Sequence, residues 1–261
     1  GHSRLSIIDT EHGQQPMHFN HGEKKYTMIY NGEVYNYKQL AKELINNDIK
    51  IETDSDTEVV LKWLVFKSVF DGIKELNGMF SIALYCHEDQ KLYLIRDRMG
   101  IKPLYYTKNQ KGLFFSSELQ SLTSFDEVNK KINQEALEQY FYFGYPIAPN
   151  TMYEQVFEQR PGTVLEYSLS GNSISENRYW SVDHYKRDYK GTYEEAVEDL
   201  DKLLQVVVNE QVVSDVGYGT FLSGGIDSSL VTSMVSKINN SNFNAYTVSF
   251  DDKKYDELPY A

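Results

Sequence analysis

The sequence predicts two fold classes in succession: an α+β domain over residues 1–187, then the opening of an α/β domain with a parallel sheet over 188–261. Two observations carry this reading. The first two-thirds alternates short apolar runs with polar turns, the pattern of antiparallel hairpins. After about residue 185 the texture changes to a long amphipathic stretch followed by strand, glycine-rich loop, helix and strand, the order of a nucleotide-binding β-α-β unit.

Taken in order, a strand is expected over 25–30, closed by a turn at Asn31-Gly32. Asn36 is placed to cap a helix with Leu40, Leu44 and Ile45 on one stripe. A second helix is predicted over 56–69, with Ser55 or Asp54 as cap and Val59, Val60 and Leu64 turned inward. Strands over 79–85 and 91–95 flank a polar turn at 87–90, and strands over 104–106 and 113–115 flank a turn at 109–112. In the second domain, a helix over 193–214 carries Ala196, Leu200, Leu203, Leu204, Val207 and Val208 in helical spacing. Its acidic run from Glu194 to Asp201 reads as a solvated face. A strand over 218–222, a loop over 223–227, a helix over 228–237 and a strand over 243–250 follow.

Composition narrows the function. Lys plus Arg is 26 against 38 for Asp plus Glu, a formal net charge of −12. So acidic a surface repels phosphate backbones and anionic lipids, so neither a nucleic acid nor a membrane is an expected partner. No run approaches the roughly 20 apolar residues that span a bilayer, and Gly1 to Asp9 shows neither the basic nor the long apolar region expected of a signal peptide. The single cysteine, Cys86, excludes an internal disulfide and a multi-cysteine metal site. It sits in an apolar strand and reads as a buried, unreactive thiol. The expected compartment is the cytoplasm. The pair His18-x-x-His21 has metal-binding chemistry, but Gly13, Pro16 and Gly22 argue for loop, so no zinc site is expected. With no initiator Met and an end inside a charged segment, an internal piece of a longer chain is expected.

The most informative stretch is Leu222-Ser223-Gly224-Gly225-Ile226-Asp227-Ser228-Ser229. Adjacent glycines after a strand let backbone approach a phosphate, and a helix opening there aims free N–H groups at the anion. The Gly-Lys-Ser/Thr ending of a Walker A loop is missing. The pattern resembles the PP-loop of ATP pyrophosphatases. That resemblance implies that Ser223, Gly224, Gly225 and Ser228 hold pyrophosphate, while Asp227 helps to place Mg²⁺. The plain alternative is a tight strand-to-helix turn capped by Asp227.

Ahead of that loop stand Arg4-Leu5-Ser6-Ile7-Ile8-Asp9, Asn31-Gly32-Glu33-Val34-Tyr35-Asn36 and Ser55-Asp56-Thr57-Glu58. The Arg96–Tyr106 block, Ser117-Glu118, Arg160-Pro161-Gly162 and Arg178-Tyr179-Trp180 follow. In this order they resemble the glutamine-dependent (class B) asparagine synthetase family over essentially the whole chain. The resemblance implies an N-terminal-nucleophile αββα sandwich of two antiparallel sheets, joined to a synthetase domain. Its glutaminase would release ammonia from glutamine, and the ammonia would pass through a tunnel to an aspartate adenylated by ATP. The implied glutamine-binding set is Arg4, Leu5, Ser6, Ile7, Ile8, Asn31, Gly32, Glu33 and Asp56, with Asn31 and Gly32 as oxyanion donors. Arg4 suits the α-carboxylate, and Asp56 with Glu33 the α-ammonium. Leu222 and Val248 match positions lining the ATP site. A homodimer is the assembly compatible with the resemblance.

Each residue also has a plainer reading: Arg4 as a surface ion pair, Asn31-Gly32 as a hairpin turn, Asp56 as a helix cap, Leu222 and Val248 as buried strand residues. The Arg96–Tyr106 block is expected to shape a turn and pack an interface, with no catalytic role. The family's nucleophile is an N-terminal Cys, and residue 1 here is Gly, so the chain as given is expected to be incomplete for catalysis. The acceptor site is expected beyond Ala261. Two alternatives therefore stand beside asparagine synthesis: a related amidotransferase acting on another carboxylate, and a non-catalytic glutamine- or nucleotide-binding module.

Overall fold

The computed structural model of the chain describes residues 13–185, 188–213, 217–238, 243–252, 254 and 256–261. Described residues up to 185 form one compact unit and those from 188 a second. The first unit contains strands β1 (Met17–His21), β2 (Lys24–Val34), β3 (Gly78–Cys86), β4 (Lys91–Arg96), β5 (Tyr105–Asn109), β6 (Gly112–Ser116), β7 (Val156–Glu158), β8 (Thr163–Ser168) and β9 (Ser173–Arg178). Its helices are α1 (Tyr37–Asn46), α2 (Asp56–Phe66), α3 (Val69–Glu75), α4 (Leu119–Thr123) and α5 (Gln134–Phe143). Six strands form an antiparallel sheet in the order β1-β2-β3-β4-β8-β9, and three form a second in the order β6-β5-β7.

Strand alternation builds four layers from these parts. Ala83, Leu94, Leu165 and Tyr167 point from the large sheet into a core shared with Tyr106, Leu113 and Phe115 of the small one. The far side of the small sheet is closed by Leu119 and Leu122 of α4, packed with Tyr105, Phe114 and Val156. On the outer face of the large sheet α2 packs against β1 and β2. Val60, Leu61, Trp63 and Leu64 of α2 are wholly enclosed, each stabilising the fold by about 1.5–3 kcal/mol or more. This is the αββα sandwich that the resemblance implies.

Several local expectations are corrected. The strand over 25–30 does not turn at Asn31-Gly32 but runs on to Val34, with Asn31 opposite Ser81 and Gly32 opposite Phe80. The two strands close tightly there: a Cβ on Gly32 would fall on the Met79 carbonyl oxygen and 2.6 Å from Phe80 Cα. Met17–His21 is an edge strand, not a loop, so His18 and His21 point to opposite faces. His18 instead hydrogen-bonds Thr27, 2.9 Å away. Asn36 precedes α1 but does not cap it; its amide donates to the Glu75 carbonyl at 2.9 Å and accepts from the Asn77 N–H at 3.0 Å. Ile45, expected on the inner stripe, is 56% exposed. The expected helix over 56–69 ends at Phe66, because Ser68 takes φ +74 and starts α3. The β3–β4 and β5–β6 hairpins form as expected, and Cys86 is buried.

The second unit holds α6 (Tyr193–Gln211), β10 (Gly219–Phe221), α7 (Ile226–Ile238) and β11 (Asn244–Tyr246). Thr192 and Glu195 form a capping box that starts α6. The helix ends at Gln211; Leu204 and Val208, with Val212 just past its end, pack with Met234 and Val235, while Leu200 and Leu203 are exposed. β10 and β11 pair in parallel across α7, the expected β-α-β order, though each spans three residues. Among the described residues no helix is long and apolar enough to cross a membrane.

Candidate functional site

In the first unit the site grows from the end of β2 and the start of α2. Ser55 caps α2 by accepting the Thr57 N–H, which leaves Asp56 free of the capping role. Its carboxylate instead accepts from the Tyr30 hydroxyl at 2.7 Å and the Val34 N–H at 3.1 Å. The helix N-terminus adds favourable charge. Asp56 is 5% exposed, so these bonds tie helix to strand inside the unit. Tyr30 is itself held by Gln15, whose amide accepts from the Tyr30 N–H at 2.6 Å and donates to its carbonyl at 2.8 Å. Burial, then Asp56, pushes the Tyr30 phenol well above its usual range, so it stays a donor.

Glu33 is half-buried beside this pair. Burial raises its carboxyl pKa and the Asp56 charge raises it further, while Lys102 acts in the opposite sense. Tyr35 is pushed up to about 12 by burial, with Glu33 and Asp97 adding to the effect. Among the described residues the Asn31 amide and the Glu33 carboxylate have no hydrogen-bond partner of their own. The site therefore offers an amide and a half-buried carboxylate at the end of β2, which pairs with β3, and the buried Asp56 carboxylate at the start of α2 is bonded to the same strand. Arg4, Leu5, Ser6, Ile7 and Ile8 lie outside the described residues. The hairpin-turn reading of Asn31-Gly32 and the cap reading of Asp56 both fail on the geometry. Tyr30, Val34 and Lys102 are not among the expected site residues: Val34 and Lys102 lie inside motifs that carry the resemblance, whereas nothing in the spacing pairs Tyr30 with Asp56.

In the second unit, Leu222 continues β10 by donating its N–H to the Tyr246 carbonyl at 2.8 Å, and its own carbonyl accepts from Thr247 Oγ1 at 2.7 Å. Ser223 and Ser228 close the loop between them. The Ser228 hydroxyl accepts the Ser223 N–H at 3.2 Å, lies 3.0 Å from the Ser223 hydroxyl and donates to the Gly225 carbonyl at 3.1 Å. Gly224 has φ +75, a conformation that suits glycine. Asp227 sits exposed in the first turn of α7. Among the described residues no three acidic, histidine or cysteine groups cluster as a metal site. Val248 departs from expectation: it lies beyond the end of β11 and is 64% exposed, so it is not a buried strand residue.

Residues 1–180 match the family model of the glutamine amidotransferase domain. The chain belongs to that family. Residues 199–261 match the model of asparagine synthase. The amidotransferase unit and the segment after it are similar to a putative glutamine-hydrolysing asparagine synthetase of Methanocaldococcus jannaschii, 37% identical over all of this chain and 52% of that protein. They are also similar to a glutamine-hydrolysing asparagine synthetase of Bacillus subtilis, 34% identical over 97% of this chain and 41% of that one. The family resemblance read from the sequence is thus borne out. The chain spans about half the length of these relatives. A solved structure described as the allosteric regulatory enzyme of purine biosynthesis matches with a TM-score of 0.49 and 15% identity, over 96% of this chain and 51% of that one.

Proposed function

We propose that these residues belong to a glutamine-dependent asparagine synthetase, a carbon–nitrogen ligase that uses glutamine as amide donor. The overall reaction is ATP, aspartate and glutamine giving asparagine, glutamate, AMP and pyrophosphate. In the amidotransferase unit, the half-buried Glu33 carboxylate at the end of β2 carries the reading: burial raises its pKa, and an α-ammonium beside it would stabilise the charged form. Arg4 would hold the α-carboxylate through its planar fork, with Leu5, Ser6, Ile7 and Ile8 lining the same side. Attack on the side-chain amide builds negative charge on its oxygen. The Asn31 amide, which has no side-chain hydrogen bond among the described residues, and the Gly32 N–H are suited to receive that charge. The nucleophile is not among these residues, since the one cysteine, Cys86, is buried at the end of β3.

In the second unit Ser223, Gly224, Gly225 and Ser228 would bind the pyrophosphate part of ATP, and Leu222 and Val248 the adenosine. Bound Mg²⁺ would supply neutralisation of phosphate charge, with Asp227 helping to orient it. We assign the reaction to the cytoplasm, where free glutamine, aspartate and ATP meet. Paired variants of the full-length protein test the division of labour. Arg4→Ala should raise the KM for glutamine while sparing synthesis from free ammonia. Asp227→Ala should abolish synthesis from either nitrogen source while glutaminase activity persists. Equal loss of both activities in Arg4→Ala, or wild-type synthesis in Asp227→Ala, would contradict the reading.

A further inference from the structure

Three motifs that the proposed function leaves without a role meet at one point in the amidotransferase unit. Asp97, 1% exposed, spreads its carboxylate over four backbone N–H groups. One oxygen accepts from Met99 and Ile101, both at 3.0 Å; the other accepts from Lys102 at 2.9 Å and Phe80 at 3.2 Å. The Asp97 N–H returns a bond to the Phe80 carbonyl at 2.9 Å. Arg96, also buried, closes the turn from the other side. It donates to the carbonyls of Lys102 at 3.0 Å and Gly100 at 2.9 Å, to that of Gln159, and pairs with Glu158 at 2.8 Å. The Arg160-Pro161-Gly162 motif joins through the Gly162 N–H, which donates to the Asp97 carbonyl at 2.8 Å. The Arg178-Tyr179-Trp180 motif joins through the Tyr179 hydroxyl, which donates to the Arg96 carbonyl at 2.9 Å.

The output of this clasp is Phe80, because Phe80 is the residue paired with Gly32. At that point the two strands are in such close contact that no side chain fits on Gly32. A shift of Phe80 is therefore transmitted to the Gly32 backbone without slack. We propose that Asp97 is a positioning residue for glutamine hydrolysis, fixing β3 at Phe80 and so setting the aim of the Gly32 N–H. The inference rests on the oxyanion role assigned to Asn31 and Gly32.

The test uses glutaminase kinetics of the full-length protein in three variants. Asp97→Ala removes every carboxylate bond to the turn and to Phe80. It should lower kcat by about 10- to 100-fold, the scale of a misaimed group, with the glutamine KM held within about threefold. Tyr179→Phe deletes one hydroxyl at the rim of the clasp and keeps the ring, so it folds even where Asp97→Ala does not; it should show a smaller loss of kcat, again with KM held. Asn31→Ala, measured alongside, should lose about 100-fold or more in kcat as a direct oxyanion donor. If Asn31→Ala loses rate while both clasp variants keep theirs, the positioning role is wrong and the glutamine site stands. The role is equally wrong if Tyr179→Phe raises KM and lowers kcat in parallel, as a loosened fold would. If Asn31→Ala keeps its rate, the oxyanion assignment fails and the inference falls with it.

Discussion

Replacing Glu33 by Gln separates what the glutamine site needs from what the fold needs. In the folded protein the Glu33 carboxyl pKa is raised, by burial first and by the Asp56 charge second. A carboxyl raised on folding binds its proton more tightly in the native state, so stability falls as pH climbs from the ordinary value near 4.5 through the raised one. Gln removes that penalty at nearly constant shape. Glu33→Gln should therefore melt at or above the wild-type temperature at pH 7, and the two proteins should converge below about pH 4.5. Binding should move the other way. A charge-assisted hydrogen bond to an α-ammonium is worth about 1.5–3 kcal/mol, so its loss should raise the glutamine KM by about 10- to 150-fold. In the wild type that KM should also climb as pH falls through the Glu33 pKa, and the variant should lack this limb. Glutaminase kinetics and thermal unfolding of the full-length protein, each across pH 4–8, read both arms. An unchanged KM, or a raised KM accompanied by a lower melting temperature, would refute the assignment of Glu33 to the ammonium.

Tyr30→Phe keeps the buried ring but takes one donor from Asp56, and should cost about 1–3 kcal/mol in denaturant unfolding, with a raised glutamine KM. A stability change under about 0.5 kcal/mol would show that the Tyr30–Asp56 bond does not hold α2 to β2. The Glu58–Lys62 pair at 2.5 Å is enclosed, with side chains 6% and 10% exposed. Burial pushes Glu58 up, but bonds from Lys62, Thr53 and the backbone N–H groups of Glu52 and Thr53 outweigh it and hold the carboxyl below its usual range. Its contribution is therefore complete above about pH 4.5 and fades as pH falls through the lowered value. Lys62→Met should cost about 3 kcal/mol at pH 7 and progressively less in acid. A cost independent of pH would mean that packing of the lysine stem, not its charge, matters there.

The parts of the fold that could be read from the sequence are those set by local chemistry. The β3–β4 and β5–β6 hairpins follow from polar turns between apolar runs, and the start of α2 from Ser55. Elsewhere tertiary contact overrides the local signal. Asn31-Gly32 has the composition of a hairpin turn, yet β3 pairs past it to Val34 because glycine admits the Met79 carbonyl. Met17–His21 alternates apolar and polar residues, but it is short and bounded by Pro16 and Gly22, so the local signal reads as loop and the strand forms by pairing with β2. Of the glutamine set, Asn31, Gly32, Glu33 and Asp56 meet at the end of β2. What holds them does not: Tyr30 reaches Asp56 across 26 residues, and the Arg96–Asp97 clasp gathers segments up to 83 residues apart. Spacing along a chain carries no trace of such contacts.

In the proposed reaction nitrogen passes from glutamine to aspartate at the expense of ATP cleaved between its α and β phosphates. The full-length protein, given amide-¹⁵N glutamine, aspartate and ATP, should yield ¹⁵N-asparagine with AMP and pyrophosphate in equal amounts. Formation of ADP and phosphate, or of glutamate and free ammonia with no labelled asparagine, would contradict it.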